Sequence, residues 1–562
     1  MCSIFTATDE SIARRVHNHF LVGDYNAGLI EAQAALVACP QSRELRLCVI
    51  EALSHLGRDR QAYIAWQEMS ELFEDIKSDL AVIEKLAWSV LTHAESSDQM
   101  SVHLSSLYGA ALTRDVKGAH IILRQLKSSN GYIRAMAAKF AMQYGDDLLL
   151  SELMKMLEKE RVWYVRLEIM RTLSAHKVPG IEEKLRKIIA SERTAYEEKG
   201  VAIESLVMMT ESIDEKKLDV LLKSDRAGLR QLSCGVMLHL EKREWREKLI
   251  AVLDDTSVDV RCMAMQALAY LGIDGLDLKD RLVQVIEEPN PRLAIAAGRL
   301  LLACDSSLGL KVLFEHLQNR DPVIRRLAAG VLVASGEKGK WLAMKMMRQS
   351  DDPYVRVNLA HGLLGFCADD VICCNVIDRF LRENKENIMW DRTPGFFTET
   401  VGPTRARHVP QMAQYPLMID QTTRLSLYNA LAIKRYPKVT ETLRDFLKNK
   451  PTGVPFAAAL TLLEEGSQDA LEHVKTLLTD TDELVRLQAA FAMAVTGEGK
   501  AMLPIFQEVY PKVDRETKLQ IIQALGHFGG ADALPFLLEI MGTEFYVLRI
   551  ASASAIIRAI NG

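Results

Sequence analysis

At 562 residues the chain exceeds an ordinary single domain unless its core is built from stacked repeats. Hydrophobic residues at 49% and charged residues at 25% exclude a disordered or fibrous chain, and few aromatics (6%) beside 22 Met favour close-packed helices over sheets. Lys plus Arg number 69 and Asp plus Glu 74, a net charge of −5, so the overall charge gives no case for a nucleic-acid partner; a local basic patch stays compatible with one.

The first ten residues carry neither a basic segment nor an apolar run, so no secretory signal is expected. The longest uncharged stretch, about 100–113, falls short of the roughly 20 apolar residues of a membrane span, and no membrane insertion is expected. Nine scattered cysteines sit mostly in apolar helical patterns, as reduced thiols do, which points to the cytoplasm.

In chain order, the first predicted elements are helical hairpins. Gly23-Asp-Tyr-Asn-Ala-Gly28 is followed by Ala35 and Pro40, and a shift of 34 brings Gly57-Arg-Asp-Arg-Gln-Ala62 into the same role. This spacing resembles tetratricopeptide repeats over roughly 9–76, with Gly28 in place of the usual Ala and no closing Pro in the second unit. Residues 77–128 read as connecting helices with a turn at Ser96-Ser-Asp-Gln.

From about 129 a second period takes over. A basic residue follows an apolar position and precedes a stripe of small residues at 134, 166, 199, 230, 261, 292, 325 and 356, in steps of 31 to 33. It returns at 424, 486, 518 and 549, with Pro455 standing where one is due. Small or apolar residues lie three, four and seven places on, as in Ala264, Met265 and Leu268, and so share one helical face. Gly145, Gly272, Gly336, Gly497 and Gly529 fall where a helix ends, and Asp-Pro at 321–322 and 352–353 is a helix start. A hairpin of this kind cannot bury its own apolar face, so the units must stack.

These residues resemble the HEAT-repeat superfamily, particularly its short phycobilisome-lyase-like variety, over 129–562. The expected fold is all-α, a right-handed alpha-alpha superhelix of the HEAT/ARM type with a tetratricopeptide-like start. The resemblance implies that the first helices line the convex face and the second the concave one. It also implies a structural ladder through Arg134, Arg166, Arg230, Arg261, Arg292, Arg325, Arg356, Arg424, Arg486 and Arg549.

Residues 384–420 interrupt the periodicity. They hold four prolines with Trp390, Phe396, Phe397, Arg405, Arg407, His408 and Tyr415, a composition too apolar for a purely solvated linker. Such a loop either presents aromatics and arginines to a partner or packs on its own solenoid to patch the interruption.

The chemistry of catalysis is not legible. No phosphate-binding glycine loop, dinucleotide fingerprint or Cys-x-x-Cys pair occurs, and Cys373 and Cys374 are adjacent on a helix. Some HEAT-like proteins are di-iron hydroxylases marked by repeated His-Glu pairs, but none of the 13 histidines here is followed by Glu. No cofactor and no metal is therefore expected. For nucleic acid the best local candidate is Lys338, Lys340, Lys345 and Arg348 around Trp341, weighed against an ordinary solvated helix face. After Arg549 one helix remains without its hairpin mate, an open end that invites a second copy or another protein unless Ser552 and Ser554 cap it.

The function these features favour is a non-catalytic scaffold binding a protein through its groove and the 384–420 loop. A chromophore-lyase-like or other enzyme of the subfamily, and a nucleic-acid-backbone binder, are the alternatives.

Overall fold

The computed structural model of the chain describes residues 2–95, 97, 99–191, 194–210, 212–304, 307–364, 370–383, 427–428, 430–448, 468–494 and 498–561. Among them every regular element is a helix, and successive helices pair as antiparallel hairpins. The local causes are visible at the helix starts. Asp321 caps Pro322–Ala334 by accepting from the Val323 amide at 2.9 Å, with Pro322 in the first turn, where it has no amide proton to leave unpaired. Asn290 does the same ahead of Pro291–Ala303. Gly272 closes Val258–Leu271 at φ 85°, a conformation that side-chain-bearing residues rarely adopt.

Contacts divide the chain into two compact units, cut at 172/173 and 485/486 rather than where one repeat class gives way to another. The unit spanning 173–485 is one stretch of hairpins. Its apolar interior runs without a break from Ile203 and Val207 through Val260, Ala264 and Leu268 to Leu300 and Leu301. Small residues set the spacing. A Cβ on Gly309 would come within 2.5 Å of the Gly298 carbonyl oxygen, so helices Pro291–Ala303 and Ser307–Leu317 cross backbone against backbone.

The other unit combines residues 1–172 with 486–562. Its first four helices, Cys2–Leu21, Tyr25–Ala38, Arg43–His55 and Asp59–Leu72, make two hairpins, joined where the Tyr25 and His55 rings stack at 4.1 Å. The expectation of an open C-terminal end is corrected here. Helix Tyr546–Asn561 packs on Leu80–Glu95 and Met100–Thr113 as well as on Arg515–Phe528. Ser552 and Ser554 supply no polar outer cap: they are 0% and 1% exposed, and Ser554 Oγ donates to the Gly109 carbonyl at 2.9 Å. The surface that would recruit a second copy is covered by the chain's own N-terminal helices.

Candidate protein-interaction surface

The repeated arginines first, because they fix the hairpins that carry the surface. Arg134 Nε and Nη2 donate to the two carboxylate oxygens of Glu160 at 2.8 and 3.1 Å. Arg230 grips Asp255 the same way at 2.6 and 2.8 Å, Arg261 grips Glu288, and Arg325 donates twice to Asp352 Oδ2. The acid lies 25 to 27 residues further on in all four cases. Three of these acids do a second job. Glu160, Asp255 and Asp352 turn an oxygen to the amides of Val162, Ser257 and Tyr354 at 2.8 to 2.9 Å, where the next helix begins. One carboxylate thus ties an arginine of one hairpin to the start of the next.

The remaining positions depart from this pattern. Arg486 reaches Glu508, 22 residues on, and Arg292 reaches back to Asp259. Arg166 and Arg356 donate to the carbonyls of Leu157 and Met347. Arg549 pairs with Asp59, and Arg424 lies outside the described residues. Asp480, which also accepts from the Asp482 amide just ahead of helix Glu483–Met493, is held by Arg444 at 2.6 Å from helix Val439–Lys448. Arg444 is not one of the repeated positions.

On this frame helix Glu337–Gln349 buries Gly339, Leu342, Ala343, Met346 and Met347 and turns Lys338, Trp341 and Arg348 outward, with Lys345 half-buried. Gly339 is required by packing, since a Cβ would meet the Leu332 carbonyl oxygen at 2.4 Å. Trp341 is 70% exposed, unusual for the largest apolar side chain. Lys345 Nζ lies 5.1 Å from the Phe314 ring centre and 5.5 Å from that of Trp341, so the aromatic pair holds its charge between them. Lys338 donates to the Ala303 carbonyl at 3.1 Å, and Lys340 pairs with Glu337.

The far end of the same helix lines a polar cleft of about 790 Å³, where Arg320, Arg325 and Arg326 meet Asp351 and Asp352. The Arg326 guanidinium stacks 4.1 Å from the Tyr354 ring centre. An exposed indole between cations, next to a polar cleft, can bury an aromatic or aliphatic anchor and pair with carboxylates around it.

The sequence reading singled out the Trp341 stripe only as a phosphate track. Trp390, Phe396, Phe397, Arg405, Arg407, His408 and Tyr415 lie outside the described residues. Cys373 and Cys374 are 1% and 3% exposed, and Cys373 Sγ contacts Met347 Sδ at 3.9 Å. Burial pushes the Cys48 and Cys234 thiols up to about 12, so they stay protonated. Among the described residues no helix is long and apolar enough to cross a membrane. Arg444 lies outside the repeat register, and Asp59, although inside the repeated 57–62 motif, has a partner 490 residues away that no local spacing reveals.

The family model for HEAT repeats matches residues 420–494 and 475–557. No curated protein matches the chain. Among solved structures, the UNC-45 chaperone, described for binding and folding muscle myosin, is similar at 13% identity and TM-score 0.33, covering 97% of this chain and 86% of that one. A Kap121p mutant is similar at 12% identity and TM-score 0.26, covering 98% and 77%. An engineered protein is similar at 14% identity and TM-score 0.17, covering 85% and 98%.

Proposed function

We propose that this HEAT/ARM-type chain is a non-catalytic scaffold that binds an acidic segment of a protein partner on the outward face of helix Glu337–Gln349. The observation that carries the reading is Trp341, 70% exposed and flanked by Lys338, Lys345 and Arg348. Tryptophan and arginine dominate the energetics of protein interfaces, and an indole this solvated adds to the free chain only its exposed contact with Lys345. The 384–420 loop and the concave groove are part of the same proposal, with Trp390, Phe396 and Phe397 as further anchors.

The test places a photo-crosslinking side chain at 341, identifies what it captures, and repeats the binding with that component purified. Trp341→Ala and Lys345→Glu should each weaken binding about tenfold or more while leaving thermal stability unchanged. A second chain with 384–420 replaced by a short Gly/Ser linker separates the loop from the helix. Capture of RNA or DNA instead of protein, with affinity falling steeply in salt, would replace this reading with the nucleic-acid one.

A further inference from the structure

A second site lies in the unit built from both ends of the chain. A cleft of about 120 Å³ opens between helices Met100–Thr113, Arg515–Phe528 and Tyr546–Asn561. Its walls are apolar, with Leu112, Leu519, Val547, Ile550 and Ala551 among them, and Gly109 and Gly526 also line it. For scale, an apolar cavity of about 150 Å³ holds a benzene molecule. Arg558 lines the cleft together with Tyr108 and Gln523, whose side chains contact each other.

The charge of Arg558 is uncompensated. The Arg558 guanidinium faces both ring nitrogens of His527. A neutral imidazole has a single acceptor nitrogen, so at least one of those guanidinium donors meets an N–H instead of a lone pair. Arg114, in the left-handed cap after Thr113 (φ 53°), adds a second positive charge felt by both groups. Burial and Arg114 pull the Arg558 guanidinium down to about 10; burial, Arg558 and Arg114 pull His527 down to about 4. Among the described residues no Asp or Glu forms an ion pair with Arg114 or Arg558, although the arginines of the repeat ladder are met repeatedly by carboxylates. Folding gains nothing from gathering two guanidinium groups around a neutral imidazole beside an apolar cleft.

We infer that this cleft is a binding site for a carboxylate carried on a short apolar group, the apolar part filling the space over Ile550 and Ala551 and the carboxylate pairing with Arg558 and Arg114. Guanidinium groups match carboxylates two bonds at a time, and an anion here would satisfy the donors that His527 cannot. The ligand has two sources with this chemistry, a free small acid or the C-terminal residue of a peptide chain.

Calorimetric titration of the full chain with hexanoate tests it, run against hexanol and against inorganic phosphate. Hexanoate should bind at least roughly tenfold more tightly than either, because each control lacks one half of the match. Arg558→Met should weaken hexanoate by about tenfold or more, and Arg558→Lys by less. Ala551→Leu fills the apolar half while leaving Arg558 in place and should weaken it likewise. In parallel, NMR titration of the His527 ring should show its pKa rising from about 4 toward the ordinary histidine value when hexanoate saturates the site. That signal arises only at this cleft. A peptide ending in Leu, as free acid against its amide, assigns the source: preference for the free-acid peptide over hexanoate points to a chain terminus, the reverse to a small acid. Equal binding of hexanoate and hexanol, a His527 pKa that does not move, or hexanoate affinity unchanged in both Arg558→Met and Ala551→Leu would overturn the inference.

Discussion

Asp59 and Arg549 are 490 positions apart in the chain, yet their side chains pair with less than one-tenth of either exposed. Arg549 also donates to the Met541 carbonyl at 3.2 Å and stacks 5.2 Å from the Tyr546 ring centre. A buried pair adds little over a well-packed apolar one, but removing a single partner strands a charge, at about 3–5 kcal/mol. Arg549→Met should therefore sharply lower the hydrogen-exchange protection of helix Leu80–Glu95, and Asp59→Asn with Arg549→Met should recover much of it. Equal protection in single and double variants would show that the pair is not coupled. His527 gives a pH prediction at the same scale. Its pKa is lowered in the fold, so the unfolded chain binds more protons as the pH falls, and stability is lost between about 6.5 and about 4. His527→Gln should reduce that loss; a denaturation profile over this range with the same slope in both proteins would contradict it.

At the scale of elements, close approach is set by glycines whose backbone is ordinary. Gly542 adopts φ −75°, which alanine tolerates, but a Cβ there would meet the Tyr63 ring at 2.5 Å. Gly526 is less forgiving, because its Cβ would fall 2.6 Å from Ala555 Cα, a backbone atom that cannot swing aside. Gly526→Ala should therefore cost about 1–3 kcal/mol and loosen Tyr546–Asn561, while helices of 173–485 exchange as before. The ladder makes the matching prediction for the other unit. Arg230 holds Asp255 well below the usual carboxylate range through its hydrogen bonds, and Arg230→Met should destabilise the start of Val258–Leu271 by about 1.5–3 kcal/mol, read from amide exchange at 258–261. Arg444→Met should act alike at Asp480, where the register offers Pro455 instead of a basic residue.

At the scale of the molecule, the unit containing both chain ends depends on helix Tyr546–Asn561, which buries Ile550, Ala553, Ile556 and Ile557. A chain ending at 545 should expose their partners on Leu80–Glu95 and Met100–Thr113, bind a hydrophobic dye and aggregate. If that shortened chain stays monomeric and dye-silent, the packing has been misjudged. Trp341 behaves oppositely, because its removal uncovers no core.

The repeat period, the helix starts at Asp321 and Asp352, and the all-α architecture were legible in the sequence because they follow from neighbours a few places apart: cap geometry, one-face apolar spacing and the inability of a lone hairpin to bury itself. Arg134, Arg230, Arg261 and Arg325 stood out for the same reason, since each serves one recurrent geometry. The partners of Arg549, the burial of Ser552 and Ser554, the helix that covers the terminal hairpin and the cationic mouth at Arg558 had no such trace. Each arises where segments hundreds of residues apart meet once, and a contact made once leaves no period to read.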